Sequence, residues 1–149
     1  MFSQWTSMLN LLERELKRNS VGYVRLDGSM TAKKRDANLE KFKTDPTCMV
    51  FIVSLKAGGV GLTITAASKV FLVDPWWNPA TEDQAIDRIH RIGQKKNVEV
   101  IRFIVRDTVE EKMLELLQKK RDMIANALSG TERKKKTNDR ERMELIFSQ

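Results

Sequence analysis

The sequence predicts an α/β fold, with a mostly parallel sheet wrapped by helices on both faces and a helical extension at its carboxyl end. Three observations predict it. Stretches of strand and helix character alternate along the chain and are joined by short connections. Two strand-length runs, Met49 to Val53 and Val70 to Val73, are continuously apolar, as strands covered on both faces by helices are. Glycine, proline and asparagine cluster in the turns after the strands, and in parallel sheets ligands bind at those carboxyl ends.

Taken in order, Met1-Phe2-Ser3 reads as the stub of a strand, and an amphipathic helix follows with Met8, Leu11, Leu12 and Leu16 on its apolar side. Val21 to Leu26 is a short strand. Asp27-Gly28-Ser29 then turns into a helix capped by Thr31, with Leu39 and Phe42 facing inward. The buried strand Met49 to Val53 leads into a glycine-rich loop, Ala57-Gly58-Gly59-Val60-Gly61-Leu62-Thr63. After Val70 to Val73, the strand ends at Asp74-Pro75 and the stiff turn Trp76-Trp77-Asn78-Pro79, with Pro79 placed as the first residue of the next helix. Val98 to Val105 is a final strand. Thr108 and Glu111 form a capping box on a helix running to about Leu128, with Val109, Met113, Leu116, Leu117 and Ile124 as its apolar stripe. Residues 1–128 are therefore expected to form one lobe. Residues 129–149, which include Arg133-Lys134-Lys135-Lys136, read as a basic linker and a short terminal helix.

Composition narrows the function classes. The chain has 149 residues, 41% hydrophobic and 32% charged, enough to bury one domain core. Its apolar runs are too short to span a bilayer, so no membrane partner is expected. With 27 Lys plus Arg against 20 Asp plus Glu, the formal charge is +7, which favours a polyanionic partner such as nucleic acid. One cysteine, Cys48, and one histidine, His90, cannot make a disulfide or a metal site of the usual kind, so a reducing compartment and a metal-free chain are expected. No cleavable leader is expected ahead of Phe2.

The stretch richest in chemistry is Asp87-Arg88-Ile89-His90-Arg91-Ile92-Gly93-Gln94. If it continues the helix begun at Pro79, Gln84, Arg88 and Arg91 fall within roughly 60° of one another, while Ala85, Ile89 and Ile92 form a separate packing stripe. Guanidinium is always charged and presents a flat fork of donors suited to phosphoryl oxygens. A solvated basic face with Asp87 and Arg91 as an i,i+4 pair is the alternative. The loop from Ser54 to Thr65 offers small residues and backbone amides to a phosphate, though a plain tight turn explains the same glycines, and neither a Walker loop nor a dinucleotide fingerprint is present. Adjacent tryptophans cannot both face one way, so one of Trp76 and Trp77 is expected to be exposed or covered only by another domain. His90 is read as a structural hydrogen-bonding residue, and Arg35 as half of a partly buried ion pair with Asp27 as a possible partner.

Taken together, Phe2-Ser3-Gln4-Trp5, Asp27 through Thr31, Ser54 through Thr65, Asp74 through Pro79 and Gln84 through Gln94 resemble, in order, the motifs of the second RecA-like lobe of Swi/Snf-family DNA translocases. The opening Phe-Ser-Gln-Trp-Thr-Ser-Met-Leu and the ending Leu128-Ser129-Gly130 are most similar to the branch that holds transcription termination factor two (lodestar) and the helicase-like transcription factor. The resemblance implies a RecA-like three-layer fold and half of a DNA-dependent ATPase. Arg88 and Arg91 would be the motif-six arginines that reach the β- and γ-phosphates of ATP, with Arg91 the better candidate for the finger. Gln84 would order that face, and Gly61 would join it at the nucleotide. Gln4, Gly28, Ser29, Ser54, Lys56 and Gly58 would line the backbone of double-stranded DNA, and Trp76 and Trp77 would couple DNA contact to the nucleotide cleft.

The same resemblance implies ATP with magnesium bound only together with a first RecA-like lobe, in cis or in trans. It also implies a nuclear setting with chromatin or transcription complexes as partners. The family carries a fuller apolar strand before Phe-Ser-Gln, so the first strand is expected to be truncated. The Walker lysine and the acidic pair of such enzymes occur nowhere in the sequence, and the isolated chain is expected to hydrolyse no ATP. Two other readings share this architecture: a non-catalytic module that binds nucleic acid or a partner, and a lobe of an RNA helicase. The Asp-Pro-Trp-Trp-Asn-Pro turn and the His-Arg-Ile-Gly-Gln ending favour the duplex translocase.

Overall fold

A computed structural model describes residues 1–57 and 62–128. The elements run β1 (Phe2–Ser3), α1 (Thr6–Arg18), β2 (Gly22–Leu26), α2 (Ala32–Thr44), β3 (Cys48–Ser54), β4 (Lys69–Leu72), α3 (Pro79–Asp87), β5 (Glu99–Arg102) and α4 (Val109–Leu128). Among the described residues, β1 to β5 make one sheet in the order β2-β3-β1-β4-β5, with every pairing parallel. The expected linker and terminal helix over 129–149, and Gly58, Gly59, Val60 and Gly61, lie outside the described residues.

Two compact units are distinguished. The first, Met1–Asp74 with Ala80–Phe103, holds the sheet, α1, α2 and nearly all of α3; the second comprises Pro75–Pro79 and Ile104–Gln149 and contains α4.

In the first unit, β1 sits at the centre although it contributes only Phe2 and Ser3. Phe2 registers with Val53 on one side and Leu72 on the other. The apolar runs explain why β3 and β4 flank it: Ile52, Val53, Val70 and Leu72 are all at most 1% exposed. Alternation along the strands separates two faces. Tyr23 and Arg25 of β2 hydrogen-bond Glu13 of α1. Phe51, in register with Val24 and so on the opposite face, packs its ring 5.2 Å from that of Phe42 on α2. Helices thus cover both sides, as right-handed crossovers require when successive connections move in opposite directions along the sheet.

Several expectations need correction. On α1 the fully buried residue is Leu9, while Leu11 is exposed. The helix is rolled so that Glu13 faces the sheet, where the Tyr23 hydroxyl and Arg25 guanidinium claim its carboxylate at 2.7 and 2.8 Å. The last strand stops at Arg102, three residues short of the expected Val105, because its partner β4 supplies only Lys69 to Leu72 for pairing. The cap on α2 is as expected, with the Thr31 hydroxyl accepting from the Lys34 amide.

In the second unit, Thr108 caps α4 by accepting from the Glu110 amide. Glu111 reaches back to the Asp107 amide rather than to that of Thr108, so the box is shifted by one residue. Met113 and Leu117 are buried on α4, whereas Val109 and Ile124 of the expected stripe are exposed. Within this unit the Lys120 ammonium donates to the Trp77 carbonyl at 2.5 Å. No helix among the described residues is long and apolar enough to cross a membrane.

Candidate functional site

The carboxyl ends of the parallel strands β1, β2 and β3 carry Gln4, Gly28, Ser29, Ser54 and Lys56 at one edge of the sheet in the first unit. At the end of β1, Gln4 donates its amide to Asp74 Oδ1 at 2.8 Å, and the Ser3 hydroxyl donates to the other carboxylate oxygen. Asp74 follows β4, so one carboxylate ties the exits of two adjacent strands together. The Gln4 side chain is 95% buried, and its Oε1 has no hydrogen-bond partner among the described residues.

The turn after β2 is organised by Asp27, itself 5% exposed. Its Oδ1 accepts the Ser29 amide at 3.0 Å and the Ser29 hydroxyl at 2.5 Å, the hydrogen-bond pattern by which aspartate mimics a backbone turn. Its other oxygen accepts Arg25 Nε at 2.8 Å. The Ser29 hydroxyl and amide, with the Arg25 guanidinium, hold the Asp27 carboxyl below the usual carboxylate range, against burial that pushes it up. Arg25, and not Arg35, is therefore the partner of Asp27. Arg35 Nε is buried without a partner among the described residues. Gly28 is exposed, and a side chain added there would meet nothing within 4 Å. Of the residues expected to line a duplex, Gly28, Ser29 and Lys56 are exposed and Gln4 and Ser54 are buried. Gly58 lies outside the described residues, as does Gly61 of the expected nucleotide face.

The arginine segment departs most from expectation. Helix α3 ends at Asp87, so Arg88 and Arg91 stand in the turn beyond it and not on a continuous helical face. The amides of Ile89 and His90 both reach the Ile86 carbonyl at 2.9 Å, and the Arg91 amide reaches that of Ile89 at 3.1 Å. The turn tightens because the preceding loop grips it: the Ile64 amide takes the Arg88 carbonyl at 2.8 Å, a group a longer helix would have used internally. Ala85 and Ile89 still pack inward, but Ile92 is left fully exposed.

Arg91 is exposed, and its Nη1 donates to the Thr63 hydroxyl at 3.1 Å. Arg88 is half-buried, and its Nε lacks a partner among the described residues. Among the described residues neither guanidinium pairs with a carboxylate, and the Asp87–Arg91 pair is not formed. A buried guanidinium donor without an acceptor is uncommon in folded proteins and suits an anionic ligand. Gln84 and His90 are exposed.

Sequence reasoning missed Glu82, which is fully buried on α3 and accepts Arg102 Nε of β5 at 3.1 Å. A glutamate in the first turn of a helix reads as a solvated partner of the helix dipole, so nothing local betrays its burial. Thr63 also went unassigned. In the second unit, Trp76 is half-buried and Trp77 is the exposed member of the pair.

A sequence profile described as the helicase conserved C-terminal domain matches residues 1–93. The chain is similar to DNA repair protein RAD5A of Arabidopsis thaliana, 52% identical over 132 residues, which are 89% of this chain and 13% of that protein. It is similar to the helicase-like transcription factor of Mus musculus, 51% identical over 135 residues, 88% of this chain and 13% of that protein. DNA repair protein rad8 of Schizosaccharomyces pombe is 47% identical over 146 residues, 98% of this chain and 13% of that protein. Among solved structures, the C-terminal part of the Fun30 ATPase domain shares the fold with a TM-score of 0.75 at 33% identity, covering 88% of this chain and 47% of that one. The chain thus spans about an eighth of the length of the curated relatives it matches.

Proposed function

Because the chain belongs to the helicase conserved C-terminal domain family, of the RecA-like, Swi/Snf kind, we propose that it is the second lobe of an ATP-dependent double-stranded-DNA translocase. Such a machine displaces bound protein or remodels chromatin in transcription or repair. The observation that carries this reading is the turn after α3, where two arginines without carboxylate partners among the described residues stand beside the loop that follows the glycine segment. Arg91, exposed and lightly held by Thr63, supplies the finger that meets a developing phosphoryl charge. Arg88 binds the same polyphosphate through its guanidinium, whose buried Nε has no acceptor among the described residues, and Gln84 and Gly61 complete the nucleotide face.

Affinity for DNA comes from the backbone of the strand exits. The Gly28 amide, in the turn that Asp27 organises through Ser29, and the Lys56 ammonium meet phosphate oxygens, with Ser29, Gln4, Ser54 and Gly58 along the same track. Contacts of this type grip any sequence and weaken as salt rises. Trp76 and Trp77 couple DNA contact to the nucleotide cleft. These donors, amides, hydroxyls and cations, suit phosphate oxygens and not a metal ion. Magnesium, which would neutralise phosphate charge, is therefore assigned to ligands on a first lobe. That lobe, in cis or trans, also supplies the Walker lysine and acidic pair, and the chain alone hydrolyses no ATP. A nuclear location follows from the substrate.

The test is an Arg91→Ala change in a two-lobe enzyme that carries this chain as its second lobe. DNA-stimulated phosphate release is lost while duplex binding survives. Retained turnover would remove Arg91 from the site, and a preference for single-stranded RNA over duplex DNA would favour an RNA helicase instead.

A further inference from the structure

Gln94 closes the arginine turn. Its side chain is half-buried, and its Nε2 donates to the Ala67 carbonyl at 2.7 Å and to the Ile89 carbonyl at 3.3 Å. Its Oε1 accepts the Lys96 amide at 2.9 Å, and its own amide donates to the Arg91 carbonyl at 2.9 Å. A carboxamide is the side-chain group that offers two donors and an acceptor at one end without charge. Gly93, with φ 102°, lets the chain reverse so that this side chain returns beneath Ile89.

One residue thereby joins three pieces: the start of the turn at Ile89, the chain beyond it at Lys96, and the segment leading into β4 at Ala67. That last segment is the one whose Thr63 and Ile64 already hold Arg91 and the Arg88 carbonyl. The Arg91 guanidinium meets a single acceptor among the described residues, so side-chain partners do little to aim it. Its place is set by the backbone of the turn, and the turn by Gln94.

We propose that Gln94 is a positioning residue, a clip that holds the turn in the conformation that presents Arg91. This inference rests on the reading of Arg91 given above. It commits to a role for the last residue of the motif that neither phosphate nor DNA contact provides.

The experiment uses Gln94→Met, which keeps length and removes all three side-chain hydrogen bonds, and Gln94→Glu, which keeps only the acceptor. In the full chain, amide hydrogen exchange at Lys96 is expected to speed up at least about tenfold in Gln94→Met, while the Leu72 and Val24 amides of the sheet stay protected. In the two-lobe enzyme, Gln94→Met is expected to lower kcat roughly 10- to 100-fold with little change in KM for ATP, the scale of a misplaced catalytic group. Gln94→Glu, which sets a carboxylate oxygen against the Ala67 and Ile89 carbonyls, is expected to be no faster than Gln94→Met. In single-turnover assays that read the residual rate of Arg91→Ala, the double variant is expected to be no slower than Arg91→Ala alone, a non-additivity that a merely structural role would not give. Unchanged Lys96 exchange, or full turnover of Gln94→Met where Arg91→Ala is dead, overturns the clip alone. Full turnover of both variants overturns the reading of Arg91 as well.

Discussion

Replacing Asp27 with asparagine tests how the strand-exit turn is held. The carboxylate accepts three donors, Arg25 Nε at 2.8 Å, the Ser29 amide at 3.0 Å and the Ser29 hydroxyl at 2.5 Å, in a place only 5% exposed. Asparagine fits the space, but one of its two terminal atoms is a donor. Whichever way it turns, it faces either Arg25 or Ser29 with a donor against a donor. One charge-assisted hydrogen bond, worth about 1.5–3 kcal/mol, is lost. Arg25 keeps Glu13 at 2.8 Å and Asn10 at 2.7 Å, so no buried charge is stranded and the cost is about 2 kcal/mol. With a urea slope of about 1–3 kcal/mol per molar, the unfolding midpoint at pH 7 falls by roughly 1 M.

The pH dependence of that gap follows from the depressed carboxyl. Its contribution is complete above the ordinary value of 3.8 and is lost as pH falls through the lower folded value, so parent and variant converge in acid. Duplex binding weakens too, since the turn that carries Gly28 loses the anchor it has through Ser29. A midpoint within about 0.2 M of the parent at pH 7, or a gap that does not narrow below about pH 4, would refute the account of this turn.

Two further predictions concern the same unit. A methyl added at Gly22 would lie 1.9 Å from the Thr47 carbonyl oxygen, so Gly22→Ala forces β2 and β3 apart and costs at least about 2–3 kcal/mol. Gly28→Ala meets open space and stays within about 0.5 kcal/mol of the parent; equal effects at the two sites in urea melts would contradict this. The Tyr23 hydroxyl, with Lys17 and Arg25, holds the Glu13 carboxyl at about 2 against an ordinary 4.5. Glu13→Gln therefore lowers the melting temperature by a few degrees at neutral pH, and the difference fades between pH 4.5 and about 2; a difference independent of pH would exclude this network.

Much of the fold was legible because it rests on local chemistry. The apolar runs named β3 and β4 within a residue or two, Thr31 marked the start of α2, and the polar turns marked the rim. What escaped depends on partners distant in sequence. The helix carrying Arg88 and Arg91 was read too long because the grip of Ile64 on the Arg88 carbonyl, from 24 residues upstream, leaves no trace in periodicity. Glu82 looked solvated because Arg102 lies 20 residues away. The choice of Arg25 over Arg35 for Asp27 depended on which side chain shares a strand with the turn, a matter of face and not of spacing. The turn that carries Arg88 and Arg91, gripped by Ile64 and closed by Gln94, was not legible for the same reason.

The central position of β1 has a consequence for how this protein is made. Phe2 is synthesised before either of its neighbours, Val53 and Leu72, which follow about 50 and 70 residues later. Loops of that size must close before either pairing returns any energy, and parallel pairing of this kind is slow. During translation this short apolar strand waits for a groove that does not yet exist. The nascent lobe is therefore exposed to aggregation until the strand ending at Leu72 is complete, and it is a natural client for holding chaperones.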